Sequence, residues 1–157
     1  MTDQTVDTPY LPPGLPIPVA EPDGLSAPFW NGLREGRLLF QHCNHCQTWQ
    51  FGPEWLCHQC HEFDPGWQEV EPRGQIYSWE RVWHASHDAL TGHPPYLAVL
   101  VELPDAGNVR MVGNLLGDPM QDVIIGSEVV GVFEHHPDAD PPFSLLQWQL
   151  APIRSTG

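Results

Sequence analysis

Four cysteines, all between positions 43 and 60 of a 157-residue chain, carry the most specific chemistry: Cys43-x2-Cys46, then Cys57-x2-Cys60. Each C-x-x-C folds as a tight knuckle that aims two thiolates at one centre. Two knuckles complete the tetrahedral four-sulfur shell that Zn2+ accepts. No cysteine is left over and nothing marks the chain as secreted, which disfavours a disulfide framework. Iron is the chemical competitor, because a four-cysteine shell also holds iron; one Zn2+ per chain is the expected cofactor. A metal ringed by four protein thiolates keeps no open position for substrate or water, so the expected role is structural, not catalytic. His42, His45, His58 and His61 lie in or beside the knuckles. With four thiolates at hand, they are expected around the shell or at the surface.

Such a shell must be positioned by its own segment. Residues 38–66 offer Leu38, Leu39, Phe40, Trp49, Phe51, Trp55, Leu56 and Phe63, a modest apolar set for independent stability, so metal binding is expected to fold the segment. A short helix is predicted just upstream, with Ser26 as N-cap, Pro28 in the first turn and Gly36 past the end. Its Phe29, Trp30 and Leu33 share one face. That stripe either packs on the chain's own core or docks on another subunit, which makes these three the candidate partner contacts. Farther upstream, Thr8 to Pro28 is too rich in proline to hold a helix. Its Tyr10, Leu11, Leu15, Ile17 and Val19 point to an arm lying along a surface, its own or a partner's; a solvated tail is the alternative.

Downstream the apolar period changes to two. GQIYSWERVWH alternates Tyr77, Trp79, Arg81 and Trp83 with Ile76, Ser78, Glu80 and Val82. PYLAVLVEL (95–103) and NVRMVGNLL form a hairpin across Pro104-Asp105-Ala106-Gly107, and SEVVGVFEH (127–135) and FSLLQWQL (143–150) complete five strands. Gly113 and Gly131 fall inside strand patterns, where a barrel bends or bulges. Five strands in this length suit an OB-fold. The predicted architecture is mainly β: an N-terminal arm and helix (1–37), a four-cysteine zinc ribbon (38–70) and a five-stranded OB-fold barrel (71–157). The loop His84 to Pro95 gathers His84, His87, Asp88 and His93 without diagnostic ligand spacing, and reads as a polar connection. No phosphate loop, free cysteine nucleophile or G-x-S-x-G elbow occurs, and no catalytic residue is assigned.

The charge balance excludes whole classes of partner. Twenty Asp and Glu stand against six arginines and no lysine, a net charge of −14. Such a field repels nucleic-acid backbones and anionic lipid. No apolar run approaches a membrane span, and MTDQTVDTPY lacks the basic start and apolar stretch of a signal peptide. The expected location is the cytoplasm.

The order of parts resembles a known family, the acyl-CoA-associated proteins catalogued as domain of unknown function thirty-five. The resemblance rests on FWNGLREGRLLFQHCNHCQTWQFGPEWLCHQC, RGQIYSWERVWH, PPYLAVLVEL and GSEVVGVF, covering roughly residues 28 to 150. It implies a rubredoxin-like zinc ribbon followed by an OB-fold, with Cys43, Cys46, Cys57 and Cys60 as metal ligands. It also implies an accessory subunit of a hetero-oligomer. The partner would be a thiolase-like acyl-CoA enzyme, such as a thiolase, a ketoacyl transferase or a steroid side-chain aldolase, with the accessory chain helping to hold the CoA ester. CoA phosphates need cations, and the whole supply is Arg34, Arg37, Arg73, Arg81, Arg110 and Arg154. Arg73 and Arg81, with Tyr77 and Trp79 to stack an adenine, are the candidate CoA contacts; the alternative is that these rings fill or cover the barrel. Two other classes compete. Zinc ribbons and OB-folds also serve as nucleic-acid-binding modules, against which the acidic charge argues, and a rubredoxin-like electron carrier would hold iron.

Overall fold

The computed structural model describes residues 5–6 and 8–152. Its elements follow in the order β1 (Thr5–Val6), α1 (Ala27–Arg34), β2 (Leu38–His42), β3 (Trp49–Gln50), β4 (Gly66–Val70), β5 (Arg73–Val82), β6 (Tyr96–Leu103), β7 (Val109–Asn114), β8 (Glu128–His136) and β9 (Phe143–Leu150). The molecule is mainly β with one helix, as the period-two patterns predict. β6 shows why: Leu97, Val99, Val101 and Leu103 are buried, while the residues between them are half-covered. Strict alternation puts one face of the strand on the core.

The larger sheet runs β1-β8-β5-β6-β7, and β9 pairs along the other edge of β8. β5 through β9 are the five strands expected of the barrel. Closure comes from a bridge between Leu115 and Trp148, where the Leu116 amide donates to the Trp148 carbonyl at 2.7 Å. The two strand glycines serve close approach instead of a bulge. A Cβ at Gly113 would lie 2.7 Å from Trp148 Cδ1, and one at Gly131 would lie 2.6 Å from Pro72 Cβ. The register shift falls elsewhere, between Ile76 and Ser78, leaving Tyr77 as the extra residue of a bulge. This re-phases β5: Ile76 pairs with Val101 and Trp79 with Val99, so Ile76 and Trp79 face the core side, and Tyr77 is turned out.

The smaller sheet, β3-β2-β4, carries the knuckles. It is not an independent body. Leu38, Phe40 and Val70 join Phe29 and Leu33 of α1 and the barrel interior in one apolar cluster, which answers the modest apolar content of the ribbon segment. Ser26 stands at the N-cap of α1 without a side-chain capping bond, and Pro28 occupies the first turn. The arm lies along the chain's own barrel: the Tyr10 amide donates to Glu134 Oε2 at 3.1 Å, and the Leu97 amide donates to the Tyr10 hydroxyl at 3.4 Å. Among the described residues, no helix is long and apolar enough to cross a membrane.

Candidate metal centre

The two knuckles are built alike. In the first, the Cys43 amide donates to the Thr48 carbonyl at 2.9 Å and the Gln47 amide donates to the Cys43 carbonyl at 2.8 Å. In the second, Cys57 and Glu62 make the first bond at 2.9 Å, and His61 and Cys57 the other at 2.9 Å. Gln47 and His61, each directly after the second cysteine of its pair, take left-handed backbone with φ of 64° and 62°. Glycine is the usual residue for that conformation. Neither position carries one, so the cysteine spacing and not a glycine marks these turns in the sequence.

The cysteines of different knuckles meet. Cys43 and Cys60 sulfurs lie 3.6 Å apart, Cys46 and Cys57 sulfurs 3.5 Å apart, and all four within 4.8 Å of one another. Ligands at the usual Zn–S distance of about 2.3 Å define a tetrahedron with edges of about 3.8 Å, so the four sulfurs fit a divalent thiophilic ion. Their ionisation points the same way. A side-chain hydrogen bond with Thr48 is the main cause that takes the Cys46 thiol down to about 6. Cys60 is driven up to about 12: the Glu62 backbone N–H opposes the rise, but burial and the neighbouring sulfurs of Cys46, Cys43 and Cys57 prevail. Four thiolates this close repel unless a cation sits among them.

Two buried glutamines hold the second knuckle in place, and sequence reasoning missed both. Gln50 Nε2 donates to Gln41 Oε1 at 2.7 Å and to the Leu56 carbonyl at 3.1 Å. Gln41 clasps Glu54 by its backbone, donating to its carbonyl at 3.0 Å and accepting from its N–H at 2.9 Å. Gln50 Oε1 also accepts from the His58 amide at 3.1 Å. Polar residues inside β-strands draw notice only when their burial is known. Of the knuckle histidines, His42 packs against Trp49 with ring centroids 4.3 Å apart and planes tilted by 49°, and His58 Nδ1 lies 3.1 Å from Gln50 Oε1. In the loop after β5, His87 accepts from the Ala89 amide and His93 meets the Pro94 carbonyl. Among the described residues, only the four cysteines form a metal-ligating group of three or more.

The other predicted sites fare differently. Phe29 and Leu33 are 8% and 1% exposed and belong to the internal cluster, with Trp30 packed against it. The helix stripe is therefore a core face, which corrects the expectation of a partner interface there. Of the four candidate CoA contacts, the structure brings together Arg81 and Trp79 but not Arg73 or Tyr77. Arg73 faces Glu128 at 3.8 Å. Tyr77 lies under Arg110, whose guanidinium is 3.5 Å from the ring centroid. Arg81 donates to the Pro119 and Gln121 carbonyls, both at 2.8 Å, and lies 5.3 Å from the Trp79 ring. The bulge at Tyr77 separates what simple alternation placed side by side. Arg154 lies outside the described residues. Exposed apolar side chains occur on the barrel at Trp83, Val112, Met120, Ile124 and Ile125, and on the second knuckle, where Leu56 bridges to Phe63. Trp55 is 53% exposed and Phe63 73%, with exposed Glu54, Glu62 and Asp64 beside them.

Comparison with known proteins agrees with this architecture. Residues 30–66 match the family model described as ChsH2, rubredoxin-like zinc ribbon domain, and residues 67–134 match ChsH2, C-terminal OB-fold domain. A chain of a solved structure described as "Ltp2-ChsH2(DUF35) aldolase" is 30% identical with a TM-score of 0.73, covering 87% of this chain and 100% of that one. A DUF35 protein of unknown function from Sulfolobus solfataricus is 14% identical with a TM-score of 0.55, over 81% of this chain and 85% of the other, and shares the fold. A "Probable enoyl-CoA hydratase alpha subunit" of Thermomonospora curvata is 35% identical over 103 residues, 65% of this chain. The chain spans only 31% of that relative's length. Paired knuckles, a shared ribbon and barrel core, and a whole-chain likeness at 30% identity together place the chain in the ChsH2 (DUF35) family of zinc-ribbon and OB-fold proteins.

Proposed function

We propose that this chain is a non-catalytic, zinc-containing subunit that binds and stabilises a thiolase-like acyl-CoA enzyme, which carries the chemistry. The observation that carries the reading is the likeness to the chain of the Ltp2-ChsH2(DUF35) aldolase, which this chain covers end to end. Cys43, Cys46, Cys57 and Cys60 hold the structural Zn2+, in a ribbon of residues 38–70 set between the arm and helix (1–37) and the barrel (71–157). Docking is assigned to the second knuckle. Trp55, Leu56 and Phe63 are large apolar side chains facing water, and aromatic anchors of this kind dominate interface energies. The acidic residues beside them call for a basic rim on the partner.

The test is co-purification of the untagged chain from its native host, with the companion identified by mass spectrometry. A thiolase-fold protein in stoichiometric amount supports the reading, and a lone monomer overturns it. With the companion in hand, Phe63→Glu is expected to weaken the complex at least a hundredfold, whereas Val112→Glu, an exposed substitution on β7, leaves it intact. The opposite ranking moves the interface to the barrel.

A further inference from the structure

Away from the knuckle residues, the arm, β8 and β9 line an open cavity of about 710 Å3. Its walls are apolar: Leu11, Leu15 and Ile17 from the arm, Phe143 and Leu145 from β9. Proline keeps the arm from closing down on the sheet, because residues without an N–H cannot continue the ladder. The volume falls in the range of pockets for drug-sized molecules, which join apolar walls to a few convergent polar groups.

Those polar groups are Glu134, His136 and Gln147. The Glu134 residue is 2% exposed. Its Oε2 accepts from the Tyr10 amide at 3.1 Å and from Gln147 Nε2 at 2.9 Å, and its Oε1 lies 2.7 Å from His136 Nε2. The ring meets Glu134 through Nε2, which leaves Nδ1 as its second polar atom. Stacking on Phe143, with centroids 4.3 Å apart and planes 11° from parallel, fixes the ring. Among the described residues, no hydrogen bond is made by Nδ1. A ring held in one orientation thus stands at the edge of an apolar cavity. Among the described residues no arginine borders the cavity, and the Glu134 carboxylate beside it disfavours a phosphorylated or carboxylated ligand.

We infer that the cavity between the proline-rich arm and β9 binds a neutral, mainly apolar alcohol, whose hydroxyl donates to His136 Nδ1. The site is independent of the partner reading, since it uses neither the knuckles nor the exposed hairpin. The probe is decan-1-ol, titrated into the full zinc-loaded chain and followed by amide chemical shifts, with methyl decyl ether as the probe lacking a donor. Saturable shifts confined to residues 9–18 and 134–147 are expected, with the alcohol binding about tenfold tighter than the ether. His136→Phe keeps the stacking partner and should abolish that tenfold preference. Leu145→Trp fills the cavity and should abolish binding of both probes. No saturable shift in the parent chain, or unchanged binding by Leu145→Trp, overturns the site; equal affinity for alcohol and ether in the parent overturns the role of His136.

Discussion

Gln41→Leu is the most exacting test of how the metal centre is held. Gln41 is 2% exposed and makes three hydrogen bonds, two to the Glu54 backbone and one to Gln50. Each such bond contributes about 0.5–1.5 kcal/mol net. Leucine recovers part of the loss by apolar burial, while the Glu54 groups it strands lie near solvent and can find water. The balance is a destabilisation of about 2–3 kcal/mol, set against the roughly 5–15 kcal/mol that holds a domain of this size together. The loss should concentrate in residues 54–64, because Gln41 and Gln50 are what fasten that segment to β2 and β3. If metal leaves through local opening there, each 1.4 kcal/mol speeds release about tenfold, so transfer to a chromophoric chelator should accelerate some 30- to 100-fold. The assay pairs urea unfolding in excess zinc with the rate of metal transfer, using Gln75→Leu, an exposed site on β5, as control. A Gln41→Leu protein within about 0.5 kcal/mol of the parent, with an unchanged transfer rate, would refute the reasoning.

Exhaustive chelation should release about one zinc per chain and increase amide exchange across residues 38–66; metal-free protein of unchanged stability would remove the structural role. Gly113→Ala puts a methyl 2.7 Å from Trp148 Cδ1, and overpacking of this kind should cost about 1–3 kcal/mol, read as a drop in Tm of several degrees. Arg81→Ala removes both bonds to the Pro119 and Gln121 carbonyls, at about 1.5–3 kcal/mol for each charge-assisted bond; faster exchange at residues 116–126 with an unchanged ribbon is expected. Equilibrium dialysis of the isolated chain against acetyl-CoA at low salt should detect no binding below about 1 mM, because its described cations are already engaged by acidic groups or carbonyls; micromolar binding would contradict that assignment.

The strands and the metal shell were readable because each is written in a local period. Leu97, Val99, Val101 and Leu103 alternate without interruption, and the cysteines are a chemical pair of pairs. What escaped depends on contacts between distant residues. The bulge at Tyr77 shifts the phase of β5 by one residue, and nothing in GQIYSWERV marks where. Gln41 and Gln50 look like solvent-facing strand residues until the sheet buries them opposite each other. The Phe29, Trp30 and Leu33 face has the same spacing whether it meets its own core or a partner; here β2 and β9 supply the cover. The family resemblance fixed the order of parts, but it could not place these contacts.

Charge links the fold to its proposed role. Arg34 meets Asn31 at 2.7 Å, Arg37 meets Glu69 at 2.8 Å, Arg110 meets Glu102 at 2.7 Å, Arg73 faces Glu128, and Arg81 ties down a loop. The described cations thus serve internal contacts on a chain of net charge −14. A surface of that kind offers a CoA phosphate repulsion at long range. The same field attracts a basic protein surface, and the exposed apolar hairpin carrying Trp55 and Phe63 gives such a surface something to bury. On this reading, zinc and the two glutamines keep that hairpin rigid before a partner arrives. Preorganisation lowers the ordering cost of association, and on the proposed reading that is what a four-cysteine centre contributes in the same segment as Trp55 and Phe63, the most exposed aromatic side chains of the ribbon.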